Sequence, residues 1–185
     1  MKICINYEEV EMKESSFKML KNVALIGSGH IARDLYRKIK NDNYLDLYLV
    51  AGRNNESDGM LEAKIFSKYF SDQGIKEIQK KSKFINVVID CTSAESHIQH
   101  SEILSKLNLP VIDLTPSGIG LKIVPTVNIS NCKNNTNVNL VSCGGQSSIP
   151  ILHSWSSFLS KQQLNTQRAR FMDLQSAPIK KVAEV

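Results

Sequence analysis

One stretch of the sequence decides the fold: Asn22-Val23-Ala24-Leu25-Ile26-Gly27-Ser28-Gly29-His30-Ile31-Ala32. Its first five residues, of which the last four are apolar, are typical of a buried parallel strand, and the residues that follow predict a helix to about Lys40. Gly27 permits a tight turn, Gly29 lets a pyrophosphate approach the backbone, and Ala32 is small enough for the helix to pack on the strand. The stretch predicts a dinucleotide-binding unit. The alternative is a turn of the same shape that binds nothing.

Strands and helices alternate from this unit to Pro150, which is the pattern of a doubly wound sheet. The sequence therefore predicts an α/β fold with a Rossmann-like, doubly wound, mostly parallel sheet and without a full second domain. We expect an N-terminal extension (1–21), a dinucleotide-binding domain that ends in a cysteine motif (22–150), and a helix with a basic tail as the remnant of a second domain (151–185). Strands are predicted over residues 22–26, 45–51, 84–90, 109–114 and 137–141, and later helices over residues 60–69, 96–107 and 151–163.

The composition limits the classes of function. With 185 residues, of which 42% are apolar, the chain is long enough for one hydrophobic core and too short for two full-sized domains. The N-terminus mixes glutamates with lysines and has no long apolar run, so neither a secretory nor a transit peptide is predicted, and we expect a cytoplasmic protein without membrane contact. The net charge of +5 suits an anionic cofactor. Dispersed basic residues and an aromatic content of 6% argue against nucleic acid as a partner.

The end of the second predicted strand bears on the choice of cofactor. An acidic residue that binds the adenosine ribose is typical there, but this chain has Arg53. An arginine can accommodate a 2′-phosphate or stack on adenine, so NADP is a possible cofactor beside NAD. Asp58 lies nearby in a Ser-Asp-Gly turn and is interpreted as a turn residue. After the third strand, Thr92 and Ser93 fall in a loop at the sheet edge where ligands of such folds bind.

A second stretch, residues 137–150, carries a candidate nucleophile. We predict a strand that ends near Val141, then Cys143 and two glycines that leave the sulfur accessible. Ser148 is a good N-cap and Pro150 suits a first helical turn, which predicts a helix whose positive end favours the thiolate. The alternative is a buried structural cysteine beside a tight turn.

No metal site is predicted. The four cysteines are widely spaced, so the sequence indicates neither a zinc site nor a disulfide framework. His97 and His100 stand three residues apart on a predicted helix, but no third ligand accompanies them. We interpret the two histidines as part of a solvated helix face.

Taken in order, the motifs resemble the acylating acetaldehyde dehydrogenases, which oxidise acetaldehyde to acetyl-CoA and partner a 4-hydroxy-2-oxovalerate aldolase. The resemblance covers residues 23–150. Two positions depart from the family pattern, because the family usually has asparagine in place of His30 and often an acidic residue near Arg53. The matching motifs are Gly27-Ser28-Gly29-His30-Ile31, Ser57-Asp58-Gly59, Asp90-Cys91-Thr92-Ser93-Ala94, Ile112-Asp113-Leu114-Thr115-Pro116, Val124-Pro125-Thr126-Val127-Asn128 and Cys143-Gly144-Gly145-Gln146.

The resemblance implies an NAD-dependent oxidoreductase with Cys143 as catalytic residue, a thioester intermediate, coenzyme A as co-substrate and a role in aromatic hydrocarbon catabolism. It also implies the aldolase as a partner and a homodimer. Two alternatives stay open: a catalytically impaired nucleotide-binding remnant that acts through a partner, and a semialdehyde dehydrogenase that uses phosphate in place of coenzyme A. The predicted cofactor-binding residues are Gly27, Ser28, Gly29, His30, Ile31, Arg53, Thr92 and Ser93.

Overall fold

A computed structural model describes residues 20–132 and 136–161 of the chain, with side chains as far as residue 158. Most of the predicted N-terminal extension and the basic tail lie outside the described residues. The chain divides into two compact units, Met1–Ser142 and Cys143–Val185. The last described helix runs from Cys143 to Lys161 and so continues across residue 150, where the sequence places a domain boundary.

Strands from the described residues form one sheet in which every neighbouring pair is parallel. Their order across the sheet is β3-β2-β1-β4-β5-β7-β6. Chain order reverses at β1, so the sheet is doubly wound, and the predicted fold class is confirmed. The strands are β1 (Lys21–Ile26), β2 (Leu45–Ala51), β3 (Tyr69–Ser71), β4 (Val87–Asp90), β5 (Val111–Asp113), β6 (Leu121–Lys122) and β7 (Asn137–Asn139).

Helices connect the strands, as parallel pairing requires. Within the described ranges, no helix is both long and apolar enough to span a membrane. The helices are α1 (His30–Lys40), α2 (Asp58–Phe66), α3 (Ile75–Lys81), α4 (Ala94–Lys106), α5 (Pro125–Asn128) and α6 (Cys143–Lys161), with short 3-10 segments at Ser82–Phe84 and Ile129–Cys132.

The core lies on both faces of the sheet. Val23 and Leu25 of β1 belong to one buried cluster, which includes residues of α1 and α2, while the alternate residues Ala24 and Ile26 belong to a second cluster with residues of α3 and α4. A strand buried on both faces needs an apolar side chain at every position, which explains the continuous run that predicted β1.

Two elements between β2 and β4 are absent from the sequence prediction. β3 and α3 occupy the polar, lysine-rich segment that runs from the end of the predicted helix 60–69 to the predicted strand 84–90, and Ile78 is the one buried residue of α3. The ring of Tyr69 in β3 lies 4.3 Å from Nζ of Lys81 and 5.8 Å from Nζ of Lys68, which explains part of the lysine content. The predicted strand 84–90 begins only at Val87, because Phe84 lies in a 3-10 turn and is 60% exposed.

Helix α2 packs closely on the loop Gly27-Ser28-Gly29, called the glycine loop below, and this packing provides a stability test. A Cβ atom at Gly59 would collide with the carbonyl oxygen of Ser28, which is a backbone atom, whereas a Cβ atom at Gly29 would meet nothing within 4 Å. We predict that Gly59→Ala lowers the free energy of unfolding by about 1–3 kcal/mol. This net value includes the small gain in helix propensity that alanine brings. Gly29→Ala should change it by less than about 0.5 kcal/mol. Urea denaturation measures both variants, and equal midpoints would contradict the described packing.

Candidate functional site

The C-terminal ends of β1, β2 and β4 open into one pocket of about 470 Å³, a size typical of ligand sites. Six of the eight predicted cofactor-binding residues line it. The other two, His30 and Ile31, are the first residues of α1 and do not line the pocket. The six lining residues are Gly27, Ser28, Gly29, Arg53, Thr92 and Ser93, which come from three separate segments of the chain.

The glycine loop has the geometry that its sequence predicts. Gly27 has a φ of 107°, and a Cβ atom there would lie 2.9 Å from the carbonyl oxygen of Cys91. Only glycine fits such a backbone at such a distance. Gly29 is the N-cap residue of α1, and a Cβ atom added there would meet no atom within 4 Å. A ligand can therefore approach the backbone at the positive end of α1, where anions bind favourably.

The charges around the pocket also suit an anion. Arg53 and Asn54 lie at the β2 end of the pocket, both exposed, together with the hydroxyl-bearing residue Ser57. Among the described residues that line the pocket, none has a carboxylate side chain. The residues present thus fit a dinucleotide, and they include an arginine where a 2′-phosphate would bind.

Behind the β4 wall of the pocket, Asp90 is fully buried and accepts four hydrogen bonds. Thr92 donates from its backbone N at 3.0 Å and from its hydroxyl at 2.5 Å, both to Oδ1. Nδ1 of His97 lies 2.9 Å from Oδ2, and Nδ1 of His100 lies 2.8 Å from the same oxygen. Burial alone would raise the pKa of Asp90, but the hydrogen bonds from His100, His97 and Thr92 outweigh burial and hold the pKa well below its ordinary value. Asp90 is therefore ionised at neutral pH.

A second buried carboxylate, Asp113, lies beside Asp90 on β5, and the two are partners in the strand register. Asp113 accepts hydrogen bonds from the backbone N of Thr115 at 2.7 Å, from the Ser117 hydroxyl at 2.6 Å and from Nδ2 of Asn139 at 2.6 Å. Nε2 of His97 lies 3.4 Å from Oδ2 of Asp113. The His97 ring thus bridges two buried carboxylates.

The interpretation of the two histidines as a solvated helix face is wrong. His97 is fully buried, and the His100 side chain is 13% exposed. The available signal was Asp90 at the end of a predicted strand, with two histidines on the next helix, since the end of a strand and the following helix pack together. Across the described ranges, no group of histidine, cysteine and acidic residues could hold a metal.

The cysteine stretch differs locally from its prediction. β7 ends at Asn139, two residues earlier than predicted, and Val141 has a φ of 46°, which is strained for a β-branched residue. Cys143 is exposed and is the first residue of α6.

The predicted helix start at Ser148 and Pro150 is wrong. Both residues lie inside α6, because the helix already begins at Cys143. The hydroxyls of Ser147 and Ser148 donate to the carbonyl oxygen of Gly144 at 2.9 and 2.8 Å, so Ser148 bonds back within the helix and does not cap it.

The cysteines differ in environment. Burial, followed by the charges of Asp90 and Asp113, raises the pKa of the Cys91 thiol to about 12, so this thiol stays protonated at neutral pH. Cys132 is buried and disulfide-bonded, although the cysteine spacing predicts no disulfide framework. Within the described ranges, the free thiols are those of Cys91 and Cys143.

Comparison with known proteins places the chain in a family. Residues 9–142 match the family described as shikimate / quinate 5-dehydrogenase. The chain belongs to this family. The resemblance to acetaldehyde dehydrogenases is also confirmed, since this member of the family is 40% identical over 133 residues to the acetaldehyde dehydrogenase of Geobacillus thermodenitrificans and 46% identical over 132 residues to that of Streptomyces griseus. Each match takes in 71% of this chain but only 45% and 42% of the relative, so the chain spans less than half the length of these curated relatives.

Two solved structures share the fold of this family member. Aspartate semialdehyde dehydrogenase with NADP from Candida albicans aligns with a TM-score of 0.55 and 12% identity, over 71% of this chain and 45% of that one. A myo-inositol dehydrogenase from Corynebacterium glutamicum aligns with a TM-score of 0.54 and 13% identity, over 79% of this chain and 42% of that one. At these identities the likeness is evidence for the fold alone.

The low pKa of Asp90 predicts a specific acid sensitivity. Because the unfolded carboxyl, with an ordinary pKa of 3.8, binds a proton before the folded one does, stability rises with pH in this range. The contribution of Asp90 is fully present above about pH 5 and is lost as the pH falls below about 4. Asp90→Asn should lower the free energy of unfolding at pH 7 by about 3–5 kcal/mol. It should also weaken the fall of this free energy with decreasing pH below about 5.

Urea denaturation at a series of pH values checks the Asp90 prediction. Asp34→Asn is the matched control, because Asp34 is 60% exposed and, among the residues that the structure describes, pairs only with Lys38 on the surface of α1. We expect that control to cost less than about 1 kcal/mol. If the free energy of unfolding of Asp90→Asn fell with decreasing pH as steeply as that of the wild type, the described hydrogen bonds to an ionised Asp90 would be contradicted.

Proposed function

We propose that this chain binds NAD or NADP in the pocket and forms the nucleotide-binding part of an acylating acetaldehyde dehydrogenase. The reaction converts acetaldehyde, coenzyme A and NAD⁺ to acetyl-CoA, NADH and a proton. The main support is that six predicted cofactor-binding residues from three separate segments line one pocket. The names of the curated relatives support the choice of substrate.

Each part of the pocket has a role in this proposal. The backbone of Gly27 to Gly29 and the positive end of α1 hold the pyrophosphate. Arg53 at the end of β2 contacts the adenosine ribose or its 2′-phosphate, and Thr92 and Ser93 contact the other half of the dinucleotide. When bound, the nicotinamide supplies the acceptor for a hydride.

Cys143 provides the covalent step. Its thiolate attacks the aldehyde carbon and forms a carbon–sulfur bond while the carbonyl electron pair moves onto the oxygen. The resulting alkoxide would become a thioester when its carbon gives up a hydride, for which a bound nicotinamide would be the acceptor. The thiolate of coenzyme A then attacks the thioester, and the cysteine thiolate leaves. The exposure of Cys143 as a free thiol supports this role, since a nucleophile must be accessible to its substrate.

The proposed partners follow from the resemblance alone. A 4-hydroxy-2-oxovalerate aldolase and a second copy of the chain stay predictions, as does coenzyme A as co-substrate. The choice of acyl acceptor separates the reaction from that of a phosphate-using semialdehyde dehydrogenase.

Arg53 provides a test of the cofactor. If its guanidinium contacts the 2′-phosphate, Arg53→Asp should weaken NADP binding by at least about tenfold and shift the preference towards NAD, because a charge-assisted hydrogen bond is replaced by repulsion. Gly29→Val is the control for the site itself, since its side chain fills the space that a pyrophosphate needs, and binding of both nucleotides should be lost. Calorimetry on the folded variants measures the affinities. An unchanged affinity of Gly29→Val for both nucleotides would contradict the proposed position of the pyrophosphate over Gly29.

Cys143 provides a test of the chemistry. Iodoacetamide near neutral pH, followed by peptide mass spectrometry, should modify the exposed Cys143 well before Cys91, whose half-buried thiol stays protonated. Cys143→Ser should reduce acetaldehyde- and coenzyme-A-dependent NADH formation about 10³-fold or more and leave nucleotide binding intact.

The outcomes of the Cys143 experiment separate the alternatives. Protection of Cys143 in the native chain would refute the nucleophile assignment. Turnover with phosphate in place of coenzyme A would favour the semialdehyde dehydrogenase. Bound nucleotide and a reactive Cys143 without turnover would favour the impaired remnant.

A further inference from the structure

One histidine connects the buried carboxylates with the pocket. His100 lies on α4, lines the pocket and has a side chain that is 13% exposed. Its Nδ1 lies 2.8 Å from Oδ2 of the fully buried Asp90. One ring nitrogen, Nδ1, is thus on the buried carboxylate, and Nε2 is the second polar atom of a side chain that lines the pocket.

The contact with Asp90 determines which ring nitrogen bears a proton. Asp90 is ionised at neutral pH because its hydrogen bonds hold its pKa well below the ordinary value. An ionised carboxylate can only accept, so Nδ1 of His100 carries a proton and donates it to the hydrogen bond. In the tautomer with a single proton, on Nδ1, Nε2 is then an acceptor. In residues 20–132 and 136–161, no group forms a hydrogen bond with this Nε2.

The neighbouring histidine shows the contrast. His97 uses Nδ1 for the same carboxylate oxygen, but its Nε2 lies 3.2 Å from Nδ2 of Asn137 and 3.4 Å from Oδ2 of Asp113. Both nitrogens of His97 thus face the interior. Of the two histidines that Asp90 orients, only His100 lines the pocket.

The order of the strands determines which half of a dinucleotide would reach His100. β1 lies between β2 and β4 in the sheet. In such folds the adenosine ribose binds at the end of β2 and the pyrophosphate over the β1 loop, so the other half extends towards the end of β4. That half has ribose hydroxyl groups, which are donors that match an accepting Nε2.

We propose that His100 is a binding residue for the nicotinamide half of the cofactor, with Nε2 accepting a hydrogen bond from a ribose hydroxyl and Asp90 holding the ring in position. The proposal rests on the nucleotide-binding function proposed above. It predicts that His100 distinguishes a whole dinucleotide from its adenosine half.

The test compares two nucleotides in two matched variants of the full chain. In His100→Asn the amide can replace Nδ1 as a donor to Asp90, but nothing replaces Nε2. We expect the Kd for NAD⁺ to rise about fivefold to tenfold by calorimetry and the Kd for ADP to stay unchanged. His153→Asn, the same exchange at an exposed position of α6, should change neither value.

Several results would overturn the proposal. An unchanged Kd for NAD⁺ in folded His100→Asn would do so, and so would an equal loss of affinity for ADP, which would place the contact on the adenosine half. If the variant does not fold, the ¹⁵N signal of the His100 Nε2 in the wild-type chain decides, because it should shift with NAD⁺ and not with ADP. A wild-type chain that binds neither nucleotide would refute the proposed function as well.

Discussion

Two ionisable side chains, Asp90 and Asp113, lie side by side at the ends of neighbouring strands and are both fully buried. Carboxylates in such a place are tolerated only if hydrogen bonds replace the lost water. The loops after β4 and β5 therefore turn back so that Thr92 and Thr115 can donate to the preceding aspartate. The requirement to satisfy these oxygens determines the conformation of the sheet edge, and α4 is placed where His97 can reach both carboxylates.

The same network extends beyond the two aspartates. Asn139 is the register partner of Asp113 on β7, and its amide nitrogen donates to that carboxylate. Its amide oxygen accepts from the backbone N of Val141 at 2.9 Å, which helps to hold that residue at a positive φ. Strain of this kind persists where the surroundings fix the backbone. Asp90, Asp113 and Asn139 thus form a row of buried polar side chains across β4, β5 and β7. At one end this row holds Thr92, which lines the pocket, and at the other it holds Val141.

The sequence was most informative where burial is two-sided. β1 and β2 were predicted to within a residue, because the part of each strand that is buried on both faces is apolar at every position, and α1 ends at Lys40 as predicted. β3 and β6 have three and two residues, too few to show any period. His97 contacts residues of three strands, and the residues next to it in the sequence do not indicate these contacts. The start of α6 was misplaced because Ser148 and Pro150 are typical of a helix start, whereas here the serine hydroxyls bond to the Gly144 carbonyl within the helix.

The parallel pairing of the whole sheet has a kinetic consequence. Parallel neighbours cannot be joined by a hairpin, so each pair of strands must close a long loop before it gains any hydrogen bond. Val23 pairs with Val87, for example, and the hydrogen bond between Asn22 and Asn86 spans 64 positions. Chains rich in such distant contacts fold slowly and expose unpaired strand edges meanwhile. During its synthesis this chain must therefore wait for β4 before the centre of its sheet can assemble.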